Sequence, residues 1–148
     1  MNKTALAAST LLAAALLSAP AVAQAPTTTL TLQVEQVRAG RGPVMVALFD
    51  SEQSWRGRES GALRTARVDA TATSMRVSFA NLPPGTYAIR LFQDIDANGD
   101  LNTGFLGIPS EPYAFSNNAP IRFGPPGWAA VRIAVPAAGT THTVALTR

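Results

Sequence analysis

The chain has 148 residues, with 12 Lys and Arg, 9 Asp and Glu, one His and no Cys. The lack of Cys excludes disulfides, thiol nucleophiles, iron–sulfur clusters and thiolate zinc sites, and a single His excludes zinc catalysis on two or three His ligands. A formal net charge of +3, with its Arg residues scattered, falls short of the concentrated basic stripe of a nucleic-acid-binding surface, so no nucleic-acid partner is expected.

Residues 1–23 read as a signal peptide: Lys3 supplies the positive n-region, residues 5–17 the apolar h-region, and Ala21-Val22-Ala23 an A-x-A cleavage site. The apolar run is too short for a comfortable membrane span, and no second such run follows it. No Cys follows it either, which excludes an acylated lipoprotein start. The expectation is a periplasmic or secreted protein without a transmembrane segment after cleavage. Its single domain, 24–148, is long enough to bury a core without disulfides. That domain carries 11 Arg against 9 acids. Arg56, Arg58, Arg64 and Arg67, interrupted by Glu59, read as a solvated face.

Leu30, Leu32 and Val34 alternate with Thr31, Gln33 and Glu35, the period-2 signature of a half-buried strand. Arg38-Ala39-Gly40-Arg41-Gly42-Pro43 is a turn. Residues 44–50 are apolar on both sides of the alternation, as for a central strand covered on two faces. Residues 51–62 read as loop or one short helical turn. Weaker strands follow at 63–70 and 74–80, the second with Met75, Val77 and Phe79 on one face. Asn81-Leu82-Pro83-Pro84-Gly85 is a turn, because Pro presets φ and Gly allows positive φ. It launches a strand over 86–93 with Tyr87, Ile89 and Leu91 on one face.

Asp94-Ile95-Asp96-Ala97-Asn98-Gly99-Asp100-Leu101-Asn102 follows, with an oxygen-bearing side chain at every second position. Acidic or amide side chains at loop positions 1, 3 and 5, with Gly at 6 for the sharp turn, are how a short loop wraps Ca²⁺, which takes about six to eight oxygen ligands. An all-protein loop rich in oxygen favours Ca²⁺ over Mg²⁺. The twelfth position is Phe105 instead of the bidentate Glu of a helix-loop-helix calcium hand, so Glu111, the nearest downstream carboxylate, completes the candidate set of Asp94, Asp96, Asn98, Asp100, Asn102 and Glu111. The alternative is a surface turn in which Asp and Asn bond their own backbone.

Residues 95–127 show no convincing strand or helix and hold five of the eleven prolines. Loops that long in a compact domain are functional or disordered. Phe105, Leu106, Ile108, Tyr113, Phe115, Ile121 and Phe123 supply apolar area for packing down, which argues against disorder. Strands return at 129–135 and 141–147. About seven short strands separated by turns, with no sustained helical periodicity after the signal, indicate an all-β, antiparallel β-sandwich of the Ig-like or prealbumin-like kind with one long loop.

Leu82-Pro83-Pro84-Gly85-Thr86-Tyr87-Ala88-Ile89, the run from Asp94 to Asn102, Leu106-Gly107-Ile108-Pro109, Glu111, Tyr113, Phe115-Ser116-Asn117-Asn118 and Phe123-Gly124-Pro125-Pro126 follow one another in an order that resembles an exported bacterial family, domain of unknown function 2141. The resemblance covers about residues 28–147. It implies a small exported β-sandwich akin to transthyretin-like or carboxypeptidase-regulatory-like modules, with no established activity. Gln93 stands where His is common in that family, and Pro112 and Ala114 at frequent Gly positions, whereas Asp94, Asn98, Gly99 and Glu111 match.

Reactive groups are scarce. The single His142 lies in the last expected strand, and no Gly-x-Ser-x-Gly elbow is present. The loop carboxylates at i, i+2 and i+6 suit ion ligation better than the opposed pair of a glycosidase. The protein is therefore not expected to be an enzyme; a carbohydrate-active enzyme using these carboxylates is the less favoured alternative. A binding module leads, with Ca²⁺ ordering the loop and Tyr113, Phe115, Asn117 and Asn118 as candidate contacts to a glycan or peptide, beside an aromatic platform that includes Tyr87, Trp55 and Trp128. A third possibility is a metal-free structural or interaction protein of the envelope, pairing an edge strand with a partner protein. The strand at 29–37, uncharged on its polar face apart from Glu35, is the candidate edge.

Overall fold

The computed structural model of the protein describes residues 24–147, so the expected signal peptide at 1–23 lies outside the described residues. Period-2 alternation becomes strand wherever it was read. Strands β1 (Thr28–Glu35), β2 (Pro43–Phe49), β3 (Arg64–Asp69), β4 (Met75–Leu82) and β5 (Gly85–Gln93) come first, then β6 (Tyr113–Phe115), β7 (Ile133–Val135) and β8 (Thr140–Ala145). One sheet has the order β4-β1-β8; the other runs β3-β2-β5-β6, with β7 also paired to β5. The chain is thus an all-β sandwich of two sheets.

Alternate residues of both sheets meet in the main core: Leu30, Leu32 and Val34 of β1 face Val46 and Leu48 of β2 and Ile89 of β5. Their removal from water is the dominant favourable term in folding. The outer face of the larger sheet has a second apolar cluster built on Phe49, Trp55, Ala88, Phe115 and Val131. Trp55 arrives on helix α1 (Glu52–Arg56), whose N-cap Ser51 forms a reciprocal capping pair with Ser54. Its ring stands edge-on to Phe49 at 5.2 Å and to Phe115 at 5.9 Å, and the Arg90 guanidinium lies 4.5 Å from its centroid.

Four expectations are corrected. The strand at 29–37 is no edge: β1 is the middle strand, antiparallel to β4 and parallel to β8. The pairing with β8 also makes the sheet mixed instead of purely antiparallel. Residues 95–127 contain β6, held by the backbone of β5 over Arg90–Phe115 to Phe92–Tyr113. The strand expected at 129–135 starts later, because Trp128–Val131 forms a helical turn, α2, before β7. Asn117 stabilises that turn by donating its side-chain amide to the Ala130 and Arg132 carbonyls.

The apolar side chains of the long loop divide. Phe115 is buried and Tyr113 and Ile121 half-buried, whereas Phe105, Leu106, Ile108 and Phe123 are exposed and do not pack down. For the first three the reason is local: Thr103 and Pro109 form a β-bridge, and the Gly104 N–H donates to the Ile108 carbonyl at 2.7 Å, pinching the residues between them away from the core.

Candidate metal centre

β5 delivers two polar residues into a buried position at its end. Gln93 is wholly buried and clamps the β1–β2 turn: its amide donates to the Arg38 carbonyl at 2.7 Å and accepts from the Arg38 N–H at 2.9 Å. Weaker bonds reach the Arg41 and Gly42 carbonyls. Gln93 therefore has a structural role that its position in the sequence alone did not reveal. Asp94 follows, its N–H donating to the Pro43 carbonyl at 2.9 Å.

The Asp94 side chain, 2% exposed, organises the loop. One oxygen accepts from the Asn98 N–H at 3.1 Å and the other from the Gly99 N–H at 2.9 Å. Gly99, at φ +89°, supplies the left-handed conformation that this fold-back needs. Glu111, 4% exposed, reaches in from the far end of the loop. Its Oε1 accepts from the Ile95 N–H at 2.7 Å and its Oε2 from the Asn102 N–H at 2.9 Å, so one carboxylate ties the two ends together. Such charge-assisted bonds are stronger than neutral ones.

Asp96 is exposed above them, accepting from the side-chain amides of Asn98 at 3.2 Å and Asn102 at 2.7 Å. Asn98 Oδ1 accepts from the Asp100 N–H at 2.8 Å, and its amide donates to Asn102 Oδ1 at 2.8 Å. One oxygen each from Asp94, Asp96 and Glu111 lies within 4.8 Å of the others. The Asp100 carboxylate is not in that group, and the amide oxygens of Asn98 and Asn102 are engaged in hydrogen bonds inside the loop. Of the four candidate carboxylates, three converge.

Donor chemistry fits a hard cation. Each carboxylate oxygen of Asp94 and Glu111 accepts one N–H and keeps a second lone pair, and with Asp96 at this spacing they suit the oxygen coordination of Ca²⁺. Among the described residues the ion pairs are Arg56–Glu52 and Arg67–Asp69, so no salt bridge offsets the mutual repulsion of Asp94, Asp96 and Glu111.

Of the candidate ligand contacts, Tyr113, Phe115 and Asn118 line one surface pocket, with the Tyr113 and Phe115 rings 5.9 Å apart. Phe115 is 4% exposed inside the second core, and Trp55 is buried with it, its Nε1–H donating to the Pro126 carbonyl. Tyr87 is buried with its hydroxyl donating to the Pro83 carbonyl, and burial raises its pKa above 10.0, with a further push from Asp50. Asn117 and Asn118 bolt strands together: the Asn117 N–H donates to His142 Nε2 at 3.0 Å, and Asn118 Oδ1 accepts from the Ala145 N–H at 2.9 Å. The imidazole of His142 is an acceptor there, and burial lowers its pKa below 6.5. Ser116, which sequence reading passed over, is fully buried; its hydroxyl accepts from the Ile89 N–H at 3.0 Å and donates to the Val131 carbonyl.

No curated protein and no solved structure matches the chain. Residues 32–143, which include the whole acidic loop and Glu111, match the family described as an uncharacterised protein conserved in bacteria, DUF2141. The match spans most of the sequence, and the chain belongs to that bacterial family, as the order of its motifs implied.

Proposed function

We propose that this protein is a Ca²⁺-stabilised binding or assembly module of the bacterial cell envelope, without enzymatic activity. The observation that carries the reading is the convergence of Asp94, Asp96 and Glu111 oxygens within 4.8 Å, two of the three side chains being buried. Buried charges are paired or coordinate a metal, and a divalent cation would offset the repulsion that the fold imposes. Export to the periplasm or medium rests on the leader at residues 1–23. A glycan, peptide or envelope protein is the class of ligand.

Calorimetric titration of Ca²⁺ into the chelator-treated protein, with melting temperature recorded in parallel, tests the proposal. Saturable one-site binding with a raised melting temperature is expected from ligand linkage. Absence of both heat and thermal shift overturns it. A second reading would then take its place, a metal-free assembly module, which the web of backbone N–H bonds to Asp94 and Glu111 favours because it orders the loop by itself.

A further inference from the structure

The pinched loop rises directly from the acidic cluster. The Asn102 N–H donates to Glu111, the Ser110 N–H returns to the Asn102 carbonyl at 2.8 Å, and the bridge of Thr103 to Pro109 closes the neck. At the tip Phe105 is 88% exposed, Leu106 81% and Ile108 62%. Single exposed apolar residues are ordinary, but three large ones within four positions form a contiguous patch of the kind that marks an interaction site.

Shape and charge select the occupant. The three side chains stand well exposed at the end of a pinched loop, so the patch suits a fluid apolar phase that deforms around it. Residues 101–110 carry no charge. From the neck of the loop, hydrogen bonds run from the Ser110 hydroxyl to the Asn102 carbonyl and from Asn102 on to the carboxylates of Asp96 and Glu111. Apolar, then polar, then ionic is the order of layers met on leaving the acyl region of a bilayer through its headgroups.

We propose that the loop 103–109 inserts into the surface of a phospholipid bilayer, with Ca²⁺ at Asp94, Asp96 and Glu111 joining the domain to the lipid phosphates. The cation-dependent half rests on the metal reading above. Without the ion, the acidic collar and an anionic membrane repel each other, so attachment to anionic lipid requires Ca²⁺.

Sedimentation with vesicles of phosphatidylglycerol and phosphatidylethanolamine, with and without Ca²⁺, tests this on the wild type and on Phe105→Ser/Leu106→Ser. The melting temperature of each protein is measured with and without Ca²⁺. Wild type is expected to co-sediment in Ca²⁺, and the double variant to lose about tenfold or more in partitioning while keeping the Ca²⁺-induced thermal shift. A wild type that shows the thermal shift yet ignores vesicles overturns insertion and leaves the metal reading standing. No thermal shift, with vesicle binding that is independent of Ca²⁺ and lost in the double variant, removes the metal and supports insertion. Concentration-dependent dimerisation that the double variant abolishes, without vesicle binding, overturns the lipid surface in favour of a second copy of the chain.

Discussion

The carbonyl oxygen of Asp94 lies 2.0 Å from the place where a β-carbon on residue 42 would sit, so Gly42 and Asp94 can approach only because position 42 has no side chain. Gly42 also has φ +84°, a conformation that other residues enter at a cost. Gly42→Ala is therefore expected to destabilise the fold by about 2–4 kcal/mol and to displace Asp94. Urea unfolding followed by circular dichroism checks the first effect, and loss of the Ca²⁺-induced thermal shift the second.

Asp96 and Glu111 separate ion binding from loop order. Asp96→Asn removes one exposed charge and is expected to leave stability in chelator within about 0.5 kcal/mol while weakening Ca²⁺ binding at least tenfold. Glu111→Gln replaces one acceptor of a buried brace by a donor, which faces the N–H of Ile95 or Asn102. It is expected to cost about 1–3 kcal/mol even without metal. Melting curves of both variants in chelator and in Ca²⁺ distinguish the two effects. Equal loss of stability in chelator would contradict the assignment.

His142 gives the fold a pH dependence of known sign. Its folded pKa is lowered below 6.5 by burial, so below that pH the unfolded chain binds the proton more readily than the native one. Stability from this group is complete above pH 6.5 and falls as the pH drops towards the folded pKa. Protonation also removes the acceptor for the Asn117 N–H. His142→Gln is expected to reduce the slope of stability against pH just below 6.5, measured by urea unfolding at closely spaced pH values. An unchanged slope would rule out His142 as its source.

Ser116 joins β5 to the end of α2 through one hydroxyl. Ser116→Ala would leave the Ile89 N–H and the Val131 carbonyl unpaired in a fully buried position. The expected loss is about 1–3 kcal/mol. Hydrogen exchange should show faster exchange at the Ile89 amide first, whereas uniform acceleration across β5 would point to global destabilisation alone.

Much of the sandwich was legible because its strands announce themselves locally. Leu30, Leu32 and Val34, or Tyr87, Ile89 and Leu91, alternate in a pattern that only a two-faced strand satisfies. The acidic loop was legible for a related reason: the spacing of Asp94, Asp96, Asn98 and Gly99 determines which side chains can turn towards one another over a few residues. Glu111 came into view because so few carboxylates lie downstream. Gln93 and Ser116 left no such signal, since a polar residue's task inside a core depends on which orphan backbone groups surround it.

The sequence by itself determined the two-sheet β class, the five long strands and the local Asx geometry of the loop, because these follow from contacts between near neighbours along the chain. Only the tertiary structure decided that β1 sits between β4 and β8, that Tyr113–Phe115 is a strand and that Phe105, Leu106 and Ile108 stay outside the core. Each of those depends on pairing between segments far apart in sequence. Tyr113 and Phe115 favour strands, but three residues are too few to show an alternation, and it is pairing with β5 that makes them one; the bridge of Thr103 to Pro109 likewise holds apolar side chains where local hydrophobicity would not have put them.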